Sequence, residues 1–340
     1  MNLKIKRILS AFFALVFALL CGCAPKTPQP EEIVFFAMDT VMSITAYGAS
    51  RQVLDECAAR TDEIEKALSA NDANSEIGRL NQAGRLENPS EAALGVVSRG
   101  LEYSQETGGA FDITIRPVVA LWDIKNNPRV PSPDEVSLAA GLVDYRSVEA
   151  GPVGISFAGA GMGIDLGGIA KGYAADEIMK MLKGNGVRSA FFSLGGNVGL
   201  CGAKPDGSGW GVGIRDPKGP ETAYMAVLRL KDTFVVTSGG YERFFEENGR
   251  VYHHIFDPAT GYPADSGLIS VTIVCGDSTR ADALSTALYV MGFERAVDYY
   301  RDNGGFEIVL IDEGGGVYVS EGLREAFMLT DEENYRVLPE

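Results

Sequence analysis

The sequence predicts an α+β fold whose sheets are mostly antiparallel and are packed with helices. Short β-rich runs between residues 189 and 274 are separated by Gly, Pro and Asp, which is typical of a series of antiparallel strands. Segments with the helical period of apolar residues lie on both sides of this region. A strict alternation of strand and helix is absent, which argues against a doubly wound parallel sheet.

The individual elements follow from local periodicity and from turn residues. The composition of residues 33–47 predicts one or two strands at the start of the folded part. Helices are predicted over 50–68, within 69–81, from 89 to about 107, and over 169–183, 279–291 and 295–302. Further strands are predicted over 189–194, 211–214, 224–230, 234–237, 252–256, 268–274 and 306–311. We expect a loop over 128–133, and a turn over 313–316 that closes the fold.

The N-terminus is typical of an exported protein. Lys4, Lys6 and Arg7 precede a short apolar run over residues 8–20. That run is shorter than the ~20 residues that a transmembrane helix needs. The segment that follows, Leu20-Cys21-Gly22-Cys23, resembles a bacterial lipobox.

Cys23 is the predicted lipidation site, because small Gly22 precedes it whereas bulky Leu20 precedes Cys21. We therefore expect a membrane-anchored lipoprotein that faces outside the cytoplasm, at the cell surface or in the periplasm. An ordinary secretory signal is the alternative. The predicted domains are a signal peptide over 1–22, the lipidated Cys23 with a flexible tether over 23–32, and one folded domain over 33–335.

The charge and the cysteines exclude some classes of function. A formal net charge of −16 argues against a nucleic acid as partner. It also means that an anionic small molecule needs a metal ion or a local basic group in order to bind. Cys57, Cys201 and Cys275 have spacings that fit neither a zinc site nor a disulfide framework. The simplest interpretation is three buried thiols, and a single bridge between two of them remains open.

The glycine-rich segment over 161–172 is the most informative stretch, with the sequence Gly-Met-Gly-Ile-Asp-Leu-Gly-Gly-Ile-Ala-Lys-Gly. The glycine pair before the helix predicted over 169–183 lets the backbone approach another group closely. The N-terminus of that helix favours an anion. A plain tight turn between two elements is the alternative. The segment matches neither a Walker loop nor a dinucleotide-binding Gly-x-Gly-x-x-Gly pattern.

Two further patterns suggest chemistry. Asp282 and Thr286 are four residues apart on a predicted helix, so their oxygens face one point and suit Mg²⁺. The alternative is structural: Ser278 or Thr279 caps the helix and Asp282 only favours its first turn. His253 and His254 are the only histidines, and strand-like alternation would turn one inward and one outward. One of them is the natural candidate for a general base. Neither Gly-x-Ser-x-Gly nor His-Glu-x-x-His is present.

Taken together, these segments resemble the FAD:protein FMN transferase family, the ApbE-type flavin transferases. The resemblance runs from Met38 to about Gly292, which is most of the mature chain. It rests on Met38-Asp-Thr, Ser75-Glu-Ile, Gly109-Ala-Phe-Asp-Ile-Thr, Asp165-Leu-Gly-Gly-Ile-Ala-Lys-Gly-Tyr, Ser193-Leu-Gly-Gly-Asn, Thr237-Ser-Gly-Gly-Tyr-Glu-Arg, His254-Ile-Phe-Asp-Pro and Asp282-Ala-Leu-Ser-Thr. Many ordered motifs on one chain are far more specific than any single motif, and a lipoprotein signal is common in that family.

The resemblance implies an ApbE-like flavin transferase fold and a defined reaction. FAD binds with Mg²⁺ at its diphosphate, FMN is transferred to a Ser or Thr hydroxyl of a partner protein, and AMP leaves. The implied acceptors are membrane-associated flavoprotein subunits of Na⁺- or H⁺-linked electron-transfer complexes. Residues are carried over only where this sequence matches the motifs. Asp282, Thr286 and the backbone carbonyl of Gly168 resemble the metal ligands, with Ser285 nearby, and His254 resembles the catalytic base. The implied flavin-nucleotide contacts are Met38, Ala110, Phe111, Asp112, Asp165, Lys171 and Ile255.

One position departs from the family pattern. The family commonly has Ser-x-Tyr where this chain has Ser69-Ala70-Asn71, so an aromatic ring near the flavin is replaced by the Asn71 amide. We expect this change to loosen FAD, because aromatic stacking contributes ~0.5–1.5 kcal/mol beyond burial. Mg²⁺-dependent hydrolysis of FAD to FMN and AMP is therefore the first alternative function. A flavin-binding lipoprotein without catalysis is the alternative of another class, and a purely structural lipoprotein is the last.

Overall fold

The computed structural model describes residues 29–339. The predicted signal peptide and Cys23 lie outside the described residues. The folded part begins with strand β1 at Pro30, so its first three residues fall within the segment that the sequence assigned to the tether. None of the helices in residues 29–339 is long and apolar enough to cross a membrane.

Eight α-helices lie within the described range, and most begin at a residue that suits a helix N-terminus. Ser50, Ser75, Ser90 and Ser132 each accept a hydrogen bond from the first turn of the helix that follows. The helices are α1 (Arg51–Leu68), α2 (Glu76–Ala83), α3 (Glu91–Glu106), α4 (Arg116–Trp122), α5 (Pro133–Ala140), α6 (Ala170–Gly184), α7 (Ser278–Met291) and α8 (Phe293–Asn303).

The strands are short and lie mostly in the second half of the chain, as predicted. They are β1 (Pro30–Ala37), β2 (Thr40–Tyr47), β3 (Arg85–Glu87), β4 (Val148–Gly151), β5 (Gly154–Phe157), β6 (Ser189–Leu194), β7 (Asn197–Gly202), β8 (Trp210–Arg215), β9 (Tyr224–Leu230), β10 (Thr233–Gly239), β11 (Phe244–Glu247), β12 (Arg250–His253), β13 (Leu268–Cys275), β14 (Glu307–Asp312), β15 (Gly316–Val319), β16 (Phe327–Leu329) and β17 (Arg336–Val337).

A nine-stranded sheet forms the centre of the structure, in the order β1-β2-β6-β7-β10-β13-β14-β15-β17. All neighbours in this sheet are antiparallel except β15 and β17. The remaining strands form a two-stranded sheet, β11-β12, and two three-stranded sheets, β16-β9-β8 and β3-β5-β4. The predicted α+β class with mostly antiparallel sheets is confirmed.

Two layers cover the central sheet. Apolar side chains of β8 and β9 pack with those of β10, β13, β14 and β15 in one core cluster, so the three-stranded sheet covers one face. Helices α1, α6 and α7 contribute to clusters with other side chains of the same sheet. The burial of α7 on nearly every side, including Asp282 and Ser285, follows from its position between the sheet and other helices. Cys57, Cys201 and Cys275 are buried free thiols, as predicted.

Two details of the sequence prediction were wrong. The turn over 313–316 does not close the fold, because β15, β16 and β17 follow it, and β15 is buried in the central sheet. The residue that caps α7 is Asp277, whose side chain accepts from the Arg280 amide at 2.8 Å, and not Ser278 or Thr279.

Candidate active site

Helices α6 and α7 meet at Gly172, and this contact places Asp282. A Cβ atom added to Gly172 would lie 2.4 Å from the Ser278 carbonyl oxygen and 2.8 Å from the Asp282 Cβ, so only glycine fits here. The Gly172 amide donates to Asp282 Oδ2 at 2.8 Å. The sequence predicted an anion at the N-terminus of this helix, and the anion found there is the carboxylate of Asp282 itself.

A second contact fixes α7 against α6. The Asp176 carboxylate on α6 accepts from the amides of Ser278 and Thr279 at 2.8 and 2.9 Å. These amides belong to the first turn of α7, which has no partners for them within the helix. Burial raises the pKa of Asp176, and the hydrogen bonds from α7 oppose that shift. The side chain of Asp282 therefore lies on a helix whose beginning is held from outside.

Lys171 supplies the positive charge beside Asp282. Its Nζ lies 3.9 Å from Asp282 Oδ1 and 3.4 Å from the Gly167 carbonyl oxygen. The Asp282 side chain is only 5% exposed, so this partner matters for a carboxylate that would otherwise be buried without a counter-charge. Desolvation raises the pKa of Glu242, and the charge of Lys171 opposes that shift.

The glycine-rich turn approaches the same face of α7. A Cβ atom on Gly168 would lie 3.4 Å from Thr286 Oγ1 and 3.1 Å from the Phe111 ring. The backbone at Gly168, the hydroxyl of Thr286 and the ring of Phe111 are therefore neighbours. Ser285 Oγ donates to the Asp282 carbonyl oxygen at 2.8 Å and lies 2.7 Å from Ser238 Oγ, which joins this helix to β10.

The loop over residues 110–114 is organised by Asp112. Its Oδ1 accepts from the Thr114 amide at 2.8 Å and the Thr114 hydroxyl at 2.6 Å, and its Oδ2 accepts from the Tyr145 amide at 3.1 Å. Burial raises the pKa of this carboxyl group against those hydrogen bonds. The carboxylate thus bonds within the protein and fixes the loop that carries Ala110 and Phe111.

Arg116 links Asn71 to Asp165. Its Nη1 donates to Asn71 Oδ1 at 2.8 Å and lies 3.6 Å from Asp165 Oδ2. Asp165 Oδ1 accepts from the Gly167 amide at 2.9 Å, inside the glycine-rich turn. Asn71 therefore lies beside a predicted flavin contact, and Arg116 is a member of this cluster that the sequence analysis missed.

Met38 occupies the turn between β1 and β2. It has a positive φ of 48° and the next residue, Asp39, has a φ of 62°. The Asp39 carboxylate pairs with Lys125 Nζ at 2.5 Å. Met38 packs half-buried against the core cluster that includes Phe111.

His254 lies directly after β12, and its backbone and ring contact the same carbonyl. The His254 amide donates to the Arg243 oxygen at 3.1 Å, and Nδ1 lies 3.2 Å from that oxygen. Because a carbonyl only accepts, this contact places the proton on Nδ1 and leaves the lone pair of Nε2 available. The ring is half-buried, and desolvation lowers its pKa to about 4, with Arg243 and Lys171 acting in the same direction.

The predicted residues therefore fall into connected groups. Asp282 touches Lys171, Thr286 lies beside Gly168 and Phe111, and the charge of Lys171 acts on His254. Ile255 is 5% exposed in the core cluster that includes Leu284 and Leu288 of α7. Both histidines are half-buried, and β12 ends at His253, so the strand alternation from which the inward and outward division was expected does not continue to His254.

The sequence analysis missed Arg116, Glu242 and the structural role of His253. Glu242 lies two residues after the glycine pair in the Thr237-Ser-Gly-Gly-Tyr-Glu-Arg segment, and that position was the available signal. Within residues 29–339 no group of three or more His, Cys, Asp or Glu side chains could hold a metal ion. A metal at Asp282 would therefore need hydroxyl and backbone oxygens as additional ligands.

A sequence model described as the ApbE family matches residues 38–310 of the chain. The chain belongs to the ApbE family. The match begins at the β1–β2 turn that carries Met38 and ends in β14. It therefore contains every predicted site residue within residues 29–339. Cys23, the predicted lipidation site, precedes it.

Relatives and solved structures agree with this assignment. The FAD:protein FMN transferase of Treponema pallidum (strain Nichols) is 37% identical over 335 residues, covering 93% of this chain and 88% of the relative. The crystal structure of the ApbE protein of Thermotoga maritima has a TM-score of 0.81 at 33% identity, over 88% of this chain and 99% of that one. Flavin transferase ApbE from Vibrio cholerae has a TM-score of 0.78 at 26% identity, over 87% of this chain and 99% of that one. The ApbE-like fold expected from the sequence is confirmed.

Proposed function

We propose that this chain is an FAD:protein FMN transferase, which moves FMN from FAD to a Ser or Thr hydroxyl of a protein acceptor and releases AMP. Membership of the ApbE family and the names of its relatives support this activity. The observation that carries the proposal is the hydrogen bond of His254 Nδ1 to Arg243, because it leaves Nε2 as a proton acceptor.

The chemical step moves the phosphoryl group of FMN from a phosphoanhydride oxygen of FAD to the acceptor hydroxyl oxygen, which becomes a phosphoester oxygen. The acceptor hydroxyl oxygen forms a bond to the phosphorus on the FMN side of the diphosphate, and the bond from that phosphorus to the bridging oxygen breaks. The bridging oxygen leaves with AMP, and the hydroxyl proton passes to Nε2 of His254. General base catalysis of this kind contributes roughly 10²–10⁴-fold. The rest of the rate depends on positioning and on neutralisation of charge.

Mg²⁺ fits the oxygens around Asp282. Asp282 Oδ2 accepts from Gly172, whereas Oδ1 lies 3.9 Å from Lys171, beyond hydrogen-bond distance. Gly168 has no side chain, and a Cβ atom added there would lie 3.4 Å from the Thr286 hydroxyl oxygen. One carboxylate, one hydroxyl and one backbone carbonyl are hard oxygen ligands of the kind that Mg²⁺ takes. When bound, the ion neutralises charge on the diphosphate and favours departure of AMP.

The flavin nucleotide would contact the loops that surround this cluster. The candidates are Met38, Asn71, Ala110, Phe111, Asp112, Asp165, Lys171 and Ile255. Lys171 would face the diphosphate together with the metal, since its ammonium group lies at the Asp282 carboxylate. Because the carboxylate of Asp112 already accepts from the Thr114 and Tyr145 amides, we assign it the role of fixing Phe111 and Ala110 for that contact.

Hydrolysis of FAD to FMN and AMP is the second candidate function. The observation that favours it is the position of Asn71, which bonds Arg116 beside Asp165 where the family commonly has an aromatic ring. In hydrolysis a water molecule replaces the acceptor hydroxyl as the nucleophile. The same base would accept its proton, and the same oxygens would hold the metal ion.

The setting of the reaction is also a proposal. We propose that Cys23 carries a lipid anchor and that the domain faces outside the cytoplasm. The proposed acceptor is a flavoprotein subunit of a membrane electron-transfer complex, which an anchored enzyme would meet at the same surface.

The test uses the full-length chain in detergent with FAD, Mg²⁺ and a candidate acceptor domain. Flavin fluorescence that stays on the acceptor in a denaturing gel, together with AMP, supports transfer. FMN and AMP formed without an acceptor support hydrolysis, and unchanged FAD contradicts both. We expect Asp282→Ala to abolish turnover and His254→Ala to reduce it without loss of FAD binding. The control is Asp302→Ala, which removes an exposed carboxylate from α8 and leaves the site intact.

A further inference from the structure

His253 closes a small loop around the candidate base. Its Nδ1 accepts a hydrogen bond from the Ile255 amide at 3.3 Å, and its Nε2 lies 3.0 Å from the Ala264 carbonyl oxygen. The first contact requires an unprotonated Nδ1 and the second a protonated Nε2, so one neutral tautomer satisfies both. His254 is the residue between the two ends of this loop, so the loop fixes the backbone conformation of His254.

His254 is held from the opposite side as well. Its amide and its Nδ1 both contact the Arg243 carbonyl oxygen, which lies just before β11. The backbone after His254 is therefore fixed by His253, and the backbone before it by the β11–β12 pair. Phe244 and His253 are directly paired in that hairpin, so the same short sheet carries both contacts.

The ring of His253 also contacts helix α7. Its Nε2 lies 3.4 Å from the Tyr289 hydroxyl, and the two rings meet edge to face with centroids 5.5 Å apart. Tyr289 follows Asp282 by seven residues and Thr286 by three, which places all three on one face of the helix. A Cβ on Gly240 would lie 2.7 Å from His253 Cδ2 and 2.8 Å from the Tyr289 hydroxyl oxygen, so both rings pack closely against this glycine.

We propose that His253 is a positioning residue that sets the angle of the His254 imidazole relative to the Asp282–Thr286 face of helix α7. The proposal rests on the proposed function, since His254 must be the base for its orientation to matter. His253 touches neither of the reacting groups. It acts through the Ile255 amide on one side and through Tyr289 on the other.

The desolvated surroundings of the ring agree with this role. Burial lowers the pKa of His253, so the neutral form that the two hydrogen bonds require is retained. Without the ring, the Ile255 amide and the Ala264 carbonyl lose these partners, and the His254 backbone gains freedom. A base displaced by about 1 Å costs on the order of 10²-fold in rate.

The test compares three variants in the full-length chain. His253→Leu removes both hydrogen bonds, and His253→Asn places an amide oxygen near the position of Nδ1 and so restores the acceptor for Ile255. Val251→Thr changes an exposed side chain on the same strand and is the matched control. The readouts are kcat and KM for FAD, thermal unfolding, and hydrogen exchange of the Ile255 amide by NMR.

We expect His253→Leu to lower kcat by about 10- to 100-fold with KM for FAD within about twofold of wild type. His253→Asn recovers most of the rate, and Val251→Thr does not change it. In a His254→Ala background, His253→Leu has no further effect, because the residue acts only through that base. Exchange of the Ile255 amide is slow in wild type and in His253→Asn, and fast in His253→Leu.

Three results would overturn the inference: a rate of His253→Leu close to wild type, a loss confined to KM, or an equal additional loss in the His254→Ala background. A wild-type chain that leaves FAD unchanged would instead contradict the proposed function. Exchange of the Ile255 amide does not depend on activity. In that case, unaltered protection of this amide in His253→Leu would still refute the inference that His253 fixes the backbone at His254.

Discussion

At the scale of single residues, the tautomer and the desolvation of His254 lead to a specific pH dependence. The base is active when neutral, and its pKa is lowered to about 4, mainly by burial and next by Arg243. We therefore expect kcat/KM to hold as pH falls through 6.5, the usual value for histidine, and to decline only as pH approaches about 4. The measurement is kcat/KM for FAD at constant ionic strength between pH 4 and 8.

The His254→Ala variant is the control for that profile. The residual kcat/KM of this variant should not decline at low pH. Circular dichroism at each pH shows whether a loss of rate comes from protonation of the base or from unfolding. An inflection near pH 6.5 that disappears in His254→Ala would show that the ring is well solvated, contrary to its position in the structure.

Asn71 permits a second prediction at this scale. Replacement by tyrosine restores the aromatic ring that the family commonly has, at a position already beside Arg116 and Asp165. We expect Asn71→Tyr to lower the dissociation constant of FAD by about twofold to tenfold, in line with a stacking contribution of ~0.5–1.5 kcal/mol. Fluorescence titration with FAD measures this. Asn74→Tyr places the same ring on an exposed position of the same loop, and equal tightening there would contradict the placement of Asn71.

The sequence predicted some site residues and missed others for a physical reason. Asp282 and Thr286 are four residues apart on a helix, and local geometry alone brings them together. Arg116 reaches Asn71 across 45 positions of the chain, and His253 reaches Ala264 and Tyr289 on other elements. Such contacts depend on how the helices and strands pack against one another, and no local periodicity of the sequence predicts them.

At the scale of elements, the contact between α6 and α7 holds Asp282 in its position in the candidate site. Gly172→Ala would put a Cβ 2.4 Å from the Ser278 carbonyl oxygen, and neither backbone can move freely. We expect this variant to lower the free energy of unfolding by ~1–3 kcal/mol and to reduce turnover, because Asp282 must shift. Gly184→Ala is the control on the same helix, where a Cβ meets no atom within 4 Å, and it should stabilise by ~0.4–1 kcal/mol. Urea denaturation compares the two, and equal stabilities would contradict close packing at Gly172.

Most elements were predictable because their patterns are local. The predicted bounds of β6 and β9 agree with the structure, and α1 and α7 differ from prediction by a single residue at the N-terminus. Helix α5 was missed, because the loop predicted over 128–133 leads straight into its proline start. The final strands were missed because β16 and β17 have three and two residues, and their pairing partners β9 and β15 define them.

At the scale of the whole molecule, the central sheet unites distant parts of the chain. Strands from the N-terminus, β1 and β2, and from the C-terminus, β14, β15 and β17, belong to one sheet. The candidate site draws on the β1–β2 turn, the loop at 110–114, the glycine-rich turn and helix α7. These parts are spread over residues 38–286, so the site depends on most of the domain.

The proposed anchor limits where this domain can work. Strand β1 begins at Pro30, and the seven residues from Cys23 to that point span at most ~25 Å when fully extended. A lipidated Cys23 would thus keep the domain close to the bilayer, within reach of a membrane-bound acceptor.

Two cysteines allow a matched test of that anchor in cells. We expect Cys23→Ser to release the protein from the membrane fraction, because the acyl chains would lose their attachment and each buried methylene contributes ~0.8 kcal/mol to binding. Cys21→Ser alters a thiol two positions away and should leave the protein in the membrane fraction. Detergent phase partition and the mass of the N-terminal peptide measure the outcome. Release by Cys21→Ser with retention of Cys23→Ser would assign the anchor to Cys21, and retention of both variants would exclude a lipid anchor at either position.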